Sequence, residues 1–225
     1  MHTKLHGLYA ITDEILTPDT SVVEQVTIAI EAGVNIIQYR NKTKTDTQVK
    51  EVCKALLKLC QDKGTLFIID DRPHLAQEIG VDGLHIGKDD MSLQDARTIF
   101  TKGIIGVSCY GSVKKAMEAQ ELGADYVAFG SFFPSPTKPH SGIVSKSVIQ
   151  KAKQVLDIPV CVIGGINIQN ISEICNEKPD MVSVVSAIFE GDIRENVQNL
   201  LQKMYSFDFI KIITRKFSAF SQRKS

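Results

Sequence analysis

Residues 8–39 read LYAITDEILTPDTSVVEQVTIAIEAGVNIIQY. A short apolar run, Leu8–Ile11, leads through a turn into Ser21–Glu31, which carries Val22, Val26, Ala29 and Ile30 on one face, and then into a second apolar run, Asn35–Tyr39. Spacings of three and four are the period of a helix packed on one side. The flanking runs are apolar almost throughout, as in parallel strands buried on both faces. Ala32-Gly33 closes the helix with the residue that takes a left-handed cap most easily. The turn after the first strand reads Ala10-Ile11-Thr12-Asp13, not the G-x-G-x-x-G of an open, doubly wound nucleotide-binding sheet.

The unit recurs along the chain. Further strand-like runs are Leu66–Asp70, Gly83–His85, Ile104–Val107, Tyr126–Phe129, Val160–Ile163 and Met181–Val185. Helical periods lie at Thr47–Gln61 (Val49, Val52, Ala55, Leu56 and Leu59), Ser92–Phe100, Val113–Leu122, Lys146–Val155, Asn170–Cys175 and Arg194–Met204. Ser92 followed by Asp95 is close to a capping box. Strand and helix alternating to a count of eight strands predict an α/β protein, a closed (β/α)8 TIM barrel in preference to an open sheet. Residues 1–205 form one domain on this reading. Residues 206–225 are a basic, aromatic extension outside the barrel core, either a loosely docked terminus or a segment that touches a membrane or nucleic acid.

The 225 residues hold 26 Lys plus Arg and 26 Asp plus Glu, so no global positive field gathers nucleic acid. Without the extension the balance is 21 basic to 25 acidic residues. No run approaches the ~20 apolar residues of a membrane span. The start, MHTKLHGLYAITDE, is polar and lacks the pattern of a secretory leader, and five cysteines without metal-clip spacing read as free thiols. A cytoplasmic location is the expectation. Cys53 and Cys60 read as small core residues.

In such barrels chemistry sits where the strands end. After the second strand, Gln38, Arg40 and Lys42 leave on one side with a period of two, and two cations beside an amide suit a polyanion. The third strand ends Asp70-Asp71-Arg72-Pro73, and Asp89-Asp90 follows the fourth. Carboxylates at neighbouring strand ends can share a hard cation such as Mg2+, or Asp71 and Asp90 can cap helices. His85 reads as a hydrogen-bonded interior residue. Ser135, Thr137 and Lys138, stiffened by prolines after the sixth strand, suit a phosphate, as do Gly164-Gly165 and Val185-Ser186 after the seventh and eighth.

Taken in order, Q-x-R-x-K (38–42), (N/D)-D-R (70–72), D-G-x-H-x-G-x-(D/E)-D (82–90), G-x-S (106–108), F-P-(T/S)-x-T-K (133–138), G-G-I (164–166) and V-S-A-I (185–188) resemble the thiamin phosphate synthase family from roughly Leu8 to Met204. The resemblance implies a transferase with two phosphorylated small-molecule substrates. It joins 4-amino-5-hydroxymethyl-2-methylpyrimidine diphosphate to 4-methyl-5-(2-hydroxyethyl)thiazole phosphate, releasing pyrophosphate and thiamin phosphate by a dissociative, Mg2+-assisted route. It further implies that Gln38, Arg40 and Lys42 hold the pyrimidine diphosphate, with Asp70 where the family usually has Asn. Asp71 and Asp90 take Mg2+, and Ser108 meets the pyrimidine. Ser135 (in place of a common Thr) and Thr137 meet the thiazole phosphate, Lys138 the diphosphate, and the backbone of Gly165, Val185 and Ser186 the thiazole phosphate. Arg40, Lys42, Ser108 and Lys138 are then the catalytic set. A thiazole tautomerase is the nearest alternative, but its histidine position here reads Phe129-Gly130-Ser131. A non-catalytic phosphate-binding barrel is the other. No partner is implied beyond the substrates, and a homo-oligomer is compatible.

Overall fold

Each apolar run becomes a strand and most amphipathic stretches become helices, because only that arrangement buries both faces of the runs. The computed structural model describes residues 4–134 and 142–205. The strands are β1 (Gly7–Ile11), β2 (Ile36–Tyr39), β3 (Leu66–Asp70), β4 (Gly83–Ile86), β5 (Ile104–Tyr110), β6 (Tyr126–Phe129), β7 (Val160–Ile163) and β8 (Met181–Val184). The helices are α1 (Val22–Ala32), α2 (Asp46–Lys63), α3 (Pro73–Ile79), α4 (Leu93–Ile99), α5 (Val113–Glu121), α6 (Ser147–Val155), α7 (Ile171–Cys175) and α8 (Ser186–Phe189), and α9 spans 193–205. Neighbouring strands pair in parallel, and β8 pairs with β1, Ser183 opposite Tyr9. The sheet is therefore closed, a (β/α)8 barrel. Among the described residues no helix is long and apolar enough to cross a membrane. The extension 206–225 lies outside the described residues.

Differences from the sequence reading are local. α8 has no counterpart in the sequence reading, and α3 only the possible helix start after Asp71. α3 opens on Pro73 at its first turn, where a missing N–H is harmless. The buried stripe of α2 is Val49, Cys53, Leu56, Leu57 and Cys60, so both cysteines are core residues while Ala55 is exposed. The Ser92 hydroxyl accepts the Asp95 N–H at 3.1 Å, the expected cap of α4. β5 runs on to Tyr110 through a register shift between Ser108 and Tyr110.

Side chains alternate along each strand, which divides the interior in two. Outward residues such as Leu8, Ala10, Ile37, Phe67 and Ile69 pack under the helices. Inward residues Tyr9, Ile36, Leu66, Ile68, Ile104, Tyr126 and Met181 fill the lower barrel. Its base is pinned by a repeated device. Asn35, Asp82, Asp125 and Asp180 each stand one residue before an even-numbered strand. Their side-chain oxygens accept the N–H groups of Leu8 (2.9 Å), Phe67 (2.9 Å), Ile105 (2.8 Å) and Val160 (2.8 Å) on the preceding strands. These donors start the strands and would otherwise lack a sheet partner.

Candidate active site

On five of the eight strands the inward parity turns polar toward the strand end, while Ile11, Ala128 and Ile163 keep it apolar on the other three. Gln38 follows Ile36, Asp70 follows Ile68, His85 follows Gly83, Ser108 follows Gly106, and Ser183 follows Met181. All five are inward, and Gln38, Asp70, His85 and Ser183 are buried. They floor a cavity of about 500 Å³ at the strand ends, walled by Arg40, Lys42, Asp90, Gly165, Val185 and Ser186 among others. Nine of the predicted site residues therefore converge on one opening, and Asp71 stands at its edge, bonded to Lys42. Ser135, Thr137 and Lys138 lie outside the described residues.

Lys42 is the hub of one wall. Its ammonium lies 3.0 Å from Asp70 Oδ2, 2.9 Å from Asp71 Oδ2 and 3.3 Å from Asp90 Oδ1. Burial works against that charge, but Asp70, Asp71 and Asp90 outweigh it and hold the ammonium pKa above its usual value. Arg40 Nε lies 3.7 Å from the same Asp70 oxygen. The extra carboxylate at position 70 is thus paired with both Lys42 and Arg40. Arg72 faces elsewhere: it donates to the carbonyls of Asn41 and Lys44, each at 2.6 Å, and to the Asp46 carboxylate. In doing so it braces the loop that carries Lys42. From the other side Thr12 Oγ1 accepts the Arg40 N–H at 2.9 Å and Glu14 accepts the Lys42 N–H at 2.7 Å.

Capping does not account for the two aspartates. Ser92 is the cap of α4, and Arg72, not Asp71, precedes α3. Asp71 takes φ +54° with its N–H on the His85 carbonyl at 2.9 Å, and Asp90 folds back to accept the Gly87 N–H at 2.7 Å. Burial first, and Asp90 beside it, raise the Asp71 carboxyl pKa against the pull of Lys42. Asp90 is held low because Asp71, the Gly87 N–H and Lys42 outweigh its own burial. Among the described residues no group of three or more His, Cys, Asp or Glu is arranged to hold a metal ion. Two converging carboxylates nevertheless fit Mg2+, which takes one or two and completes its shell with water and phosphate.

The opposite wall is backbone. Gly164 (φ +103°) and Gly165 (φ +67°) carry the chain past the loop after β6, where a Cβ on Gly165 would lie 2.3 Å from the Pro134 carbonyl oxygen. Glycine is required there by loop packing as well as by any approach to a ligand. Asn170 Nδ2 donates to the Gly165 carbonyl at 2.9 Å and fixes this turn. Val185 precedes α8, and it lines the opening together with Ser186 and Ala187, whose N–H groups stand at the start of the helix and have no acceptor within it.

A hydrogen-bonded chain crosses the floor. Gln38 Nε2 donates to Tyr9 Oη at 2.6 Å, Tyr9 and Tyr126 hydroxyls are 3.0 Å apart, Tyr126 Oη is 2.8 Å from His85 Nδ1, and His85 Nε2 is 2.9 Å from Ser108 Oγ. His85 is thus the hydrogen-bonded interior residue expected. Tyr9 and Tyr126 were not anticipated in this role, although their inward parity was legible. Ser183, also missed, lines the cavity with a buried hydroxyl that has no hydrogen-bond partner among the described residues.

Fold and site together define a (β/α)8-barrel enzyme whose polar mouth offers cationic, carboxylate and backbone N–H groups to small anionic ligands. The family described as thiamine monophosphate synthase matches residues 8–188. A thiamine-phosphate synthase of Wolinella succinogenes is 42% identical over 203 residues, 88% of this chain and 94% of that protein. One from Thermoplasma acidophilum is 40% identical over 206 residues, 91% and 95% of the two chains. The solved thiamine phosphate pyrophosphorylase of Pyrococcus furiosus superposes with a TM-score of 0.82 at 33% identity, over 90% of this chain and 97% of that one. The chain belongs to the thiamine monophosphate synthase family, and it is an enzyme of the transferase class.

Proposed function

We propose that the protein is a thiamine-phosphate synthase, joining 4-amino-5-hydroxymethyl-2-methylpyrimidine diphosphate to 4-methyl-5-(2-hydroxyethyl)thiazole phosphate. The observation that carries this reading is the Lys42 cluster, at the mouth of a cavity that Gly165, Val185 and Ser186 also line. A cationic, carboxylate-bearing side suits a metal-bound diphosphate, and a backbone side suits a second phosphate.

In this reading Arg40 and Lys42 bind the diphosphate, joined by Lys138. They stabilise the charge that develops on the bridging oxygen as the pyrimidine CH2–O bond breaks and its electron pair leaves with pyrophosphate. Gln38 and Ser108 hold the aminopyrimidine ring, whose amino group feeds electron density to the exposed carbon. The backbone of Gly165, Val185 and Ser186, with Ser135 and Thr137, pins the thiazole phosphate so that the thiazole nitrogen lone pair forms the new C–N bond. No protein nucleophile is needed, since positioning replaces it. Asp71 and Asp90 would hold Mg2+, which supplies further charge neutralisation at the diphosphate. The charge balance of the described lining supports this: Asp13, Asp70, Asp89, Asp90 and Glu190 outnumber Arg40, Lys42 and Lys88. A bare diphosphate would meet net repulsion there.

The test is to mix purified protein with both substrates and Mg2+ and to measure thiamin phosphate and pyrophosphate. Equal amounts of the two products support the reading. Absence of both, with either substrate binding alone, refutes it.

A further inference from the structure

We propose that Tyr9, Tyr126 and His85 are positioning residues that set the hydrogen-bond polarity of the cavity, so that Gln38 presents an acceptor to the ligand ring and Ser108 presents a donor. Donor counting along the buried chain gives this result. Gln38 Nε2 donates to Tyr9 Oη at 2.6 Å, so the Tyr9 oxygen accepts. The Tyr9 side chain is 1% exposed, and its proton needs an acceptor of its own. Tyr126 Oη at 3.0 Å provides it. The Tyr126 proton then goes to His85 Nδ1 at 2.8 Å. A neutral imidazole that accepts at Nδ1 carries its hydrogen on Nε2, and that hydrogen points at Ser108 Oγ, 2.9 Å away. The Ser108 proton is left to point into the cavity that Ser108 lines, and so is the carbonyl oxygen of the Gln38 amide.

Around a neutral His85 ring, reversal is possible only as a whole. If the Gln38 amide turned over, each bond would reverse, and the cavity would show an amide NH2 at Gln38 and only lone pairs at Ser108. With His85 neutral, the two ends, on strands β2 and β5, are therefore not both donors. The chain makes them one specificity element. The ligand class that fits is a heteroaromatic ring with an exocyclic amine beside a ring nitrogen, the amine donating to Gln38 and the nitrogen accepting from Ser108. A ring with a carbonyl beside a ring N–H presents the opposite pattern. That assignment of ligand rests on the reading given under Proposed function, whereas the polarity of the chain does not.

Two measurements test it. Nitrogen NMR of histidine-labelled wild-type protein, with the His85 signals assigned by His85→Gln, should show a neutral ring protonated at Nε2. A ring protonated at Nδ1 overturns the proposal, whatever the protein catalyses. In Tyr126→Phe the preference for that tautomer should fall. The same variant should also discriminate at least ~10-fold less between the amino substrate and its oxo analogue, mainly through KM. Unchanged discrimination in a Tyr126→Phe protein that keeps the wild-type circular dichroism also overturns it. If the wild type shows the Nε2 tautomer yet binds neither ring, the polarity stands and the substrate reading fails.

Discussion

The Tyr126 ring occupies the space that a side chain on Gly106 would need: a Cβ built on Gly106 would lie 2.0 Å from Tyr126 Cζ. The glycine of the Gly106-Val107-Ser108 segment thus makes room for a ring on the next strand, whose hydroxyl reaches His85. Gly106→Ala overpacks this contact and is expected to lower stability by about 1–3 kcal/mol. In a Tyr126→Ala background the penalty should vanish, since the blocking ring is gone. Urea unfolding of the four proteins checks this. An unchanged midpoint for Gly106→Ala would show that the barrel absorbs the methyl group elsewhere.

How far such contacts are legible in the sequence depends on their range. The closed barrel was, because strand runs and helical periods are local patterns. The inward parity of Gln38, Asp70, His85 and Ser108 was too, since a strand side chain needs only counting. The contact between Tyr9 and Tyr126 was not. Their hydroxyls meet across 117 residues of chain, and that distance is set by barrel closure rather than by either strand. α8 escaped because four residues barely make one turn, and α3, as long as the recognised α4, opens on Arg72-Pro73 with no Ser, Thr, Asn or Asp at its cap. Asp70 pairs with Arg40 and Lys42 instead of Arg72, because Arg72 turns back to the loop after β2, a choice no spacing rule shows.

Asp71 and Asp90 share the Lys42 ammonium, at 2.9 Å and 3.3 Å, and neither serves as a helix cap. If they hold Mg2+ at the leaving group, Asp71→Ala and Asp90→Ala should each reduce turnover by at least ~100-fold. Each should also weaken Mg2+ binding measured by calorimetry in the presence of pyrophosphate. Near-normal rates in both variants would remove the metal assignment.

Asp70 occupies both cations that the proposed diphosphate needs, Lys42 at 3.0 Å and Arg40 at 3.7 Å. Asp70→Asn keeps the shape and removes the competing charge. The expected outcome is a KM for the pyrimidine diphosphate several-fold lower, roughly 3–10-fold, with the gain shrinking as salt is added. Steady-state kinetics at two ionic strengths decide it. A raised KM would mean that the carboxylate orders Arg40 and Lys42 more than it competes for them.

All five cysteines are free thiols, and burial raises the pKa of each: Cys53, Cys60 and Cys109 to about 12, Cys175 to about 11, and Cys161 further. The thiolate is the reactive form, so at pH 8 iodoacetamide should label none of them within minutes in the native protein and all five in urea. The same shift has a sign for stability. The fold favours the neutral thiol, so the stabilisation is whole below the unfolded value of about 9 and is lost as pH rises toward the folded one. Each thiol withdraws about 1.4 kcal/mol per pH unit in that window. Cys60→Ala should therefore lose stability less steeply than the wild type between pH 9 and 11, the gap between their urea midpoints narrowing as pH rises. Parallel curves across that window would mean that Cys60 ionises as easily in the folded chain as in the unfolded one.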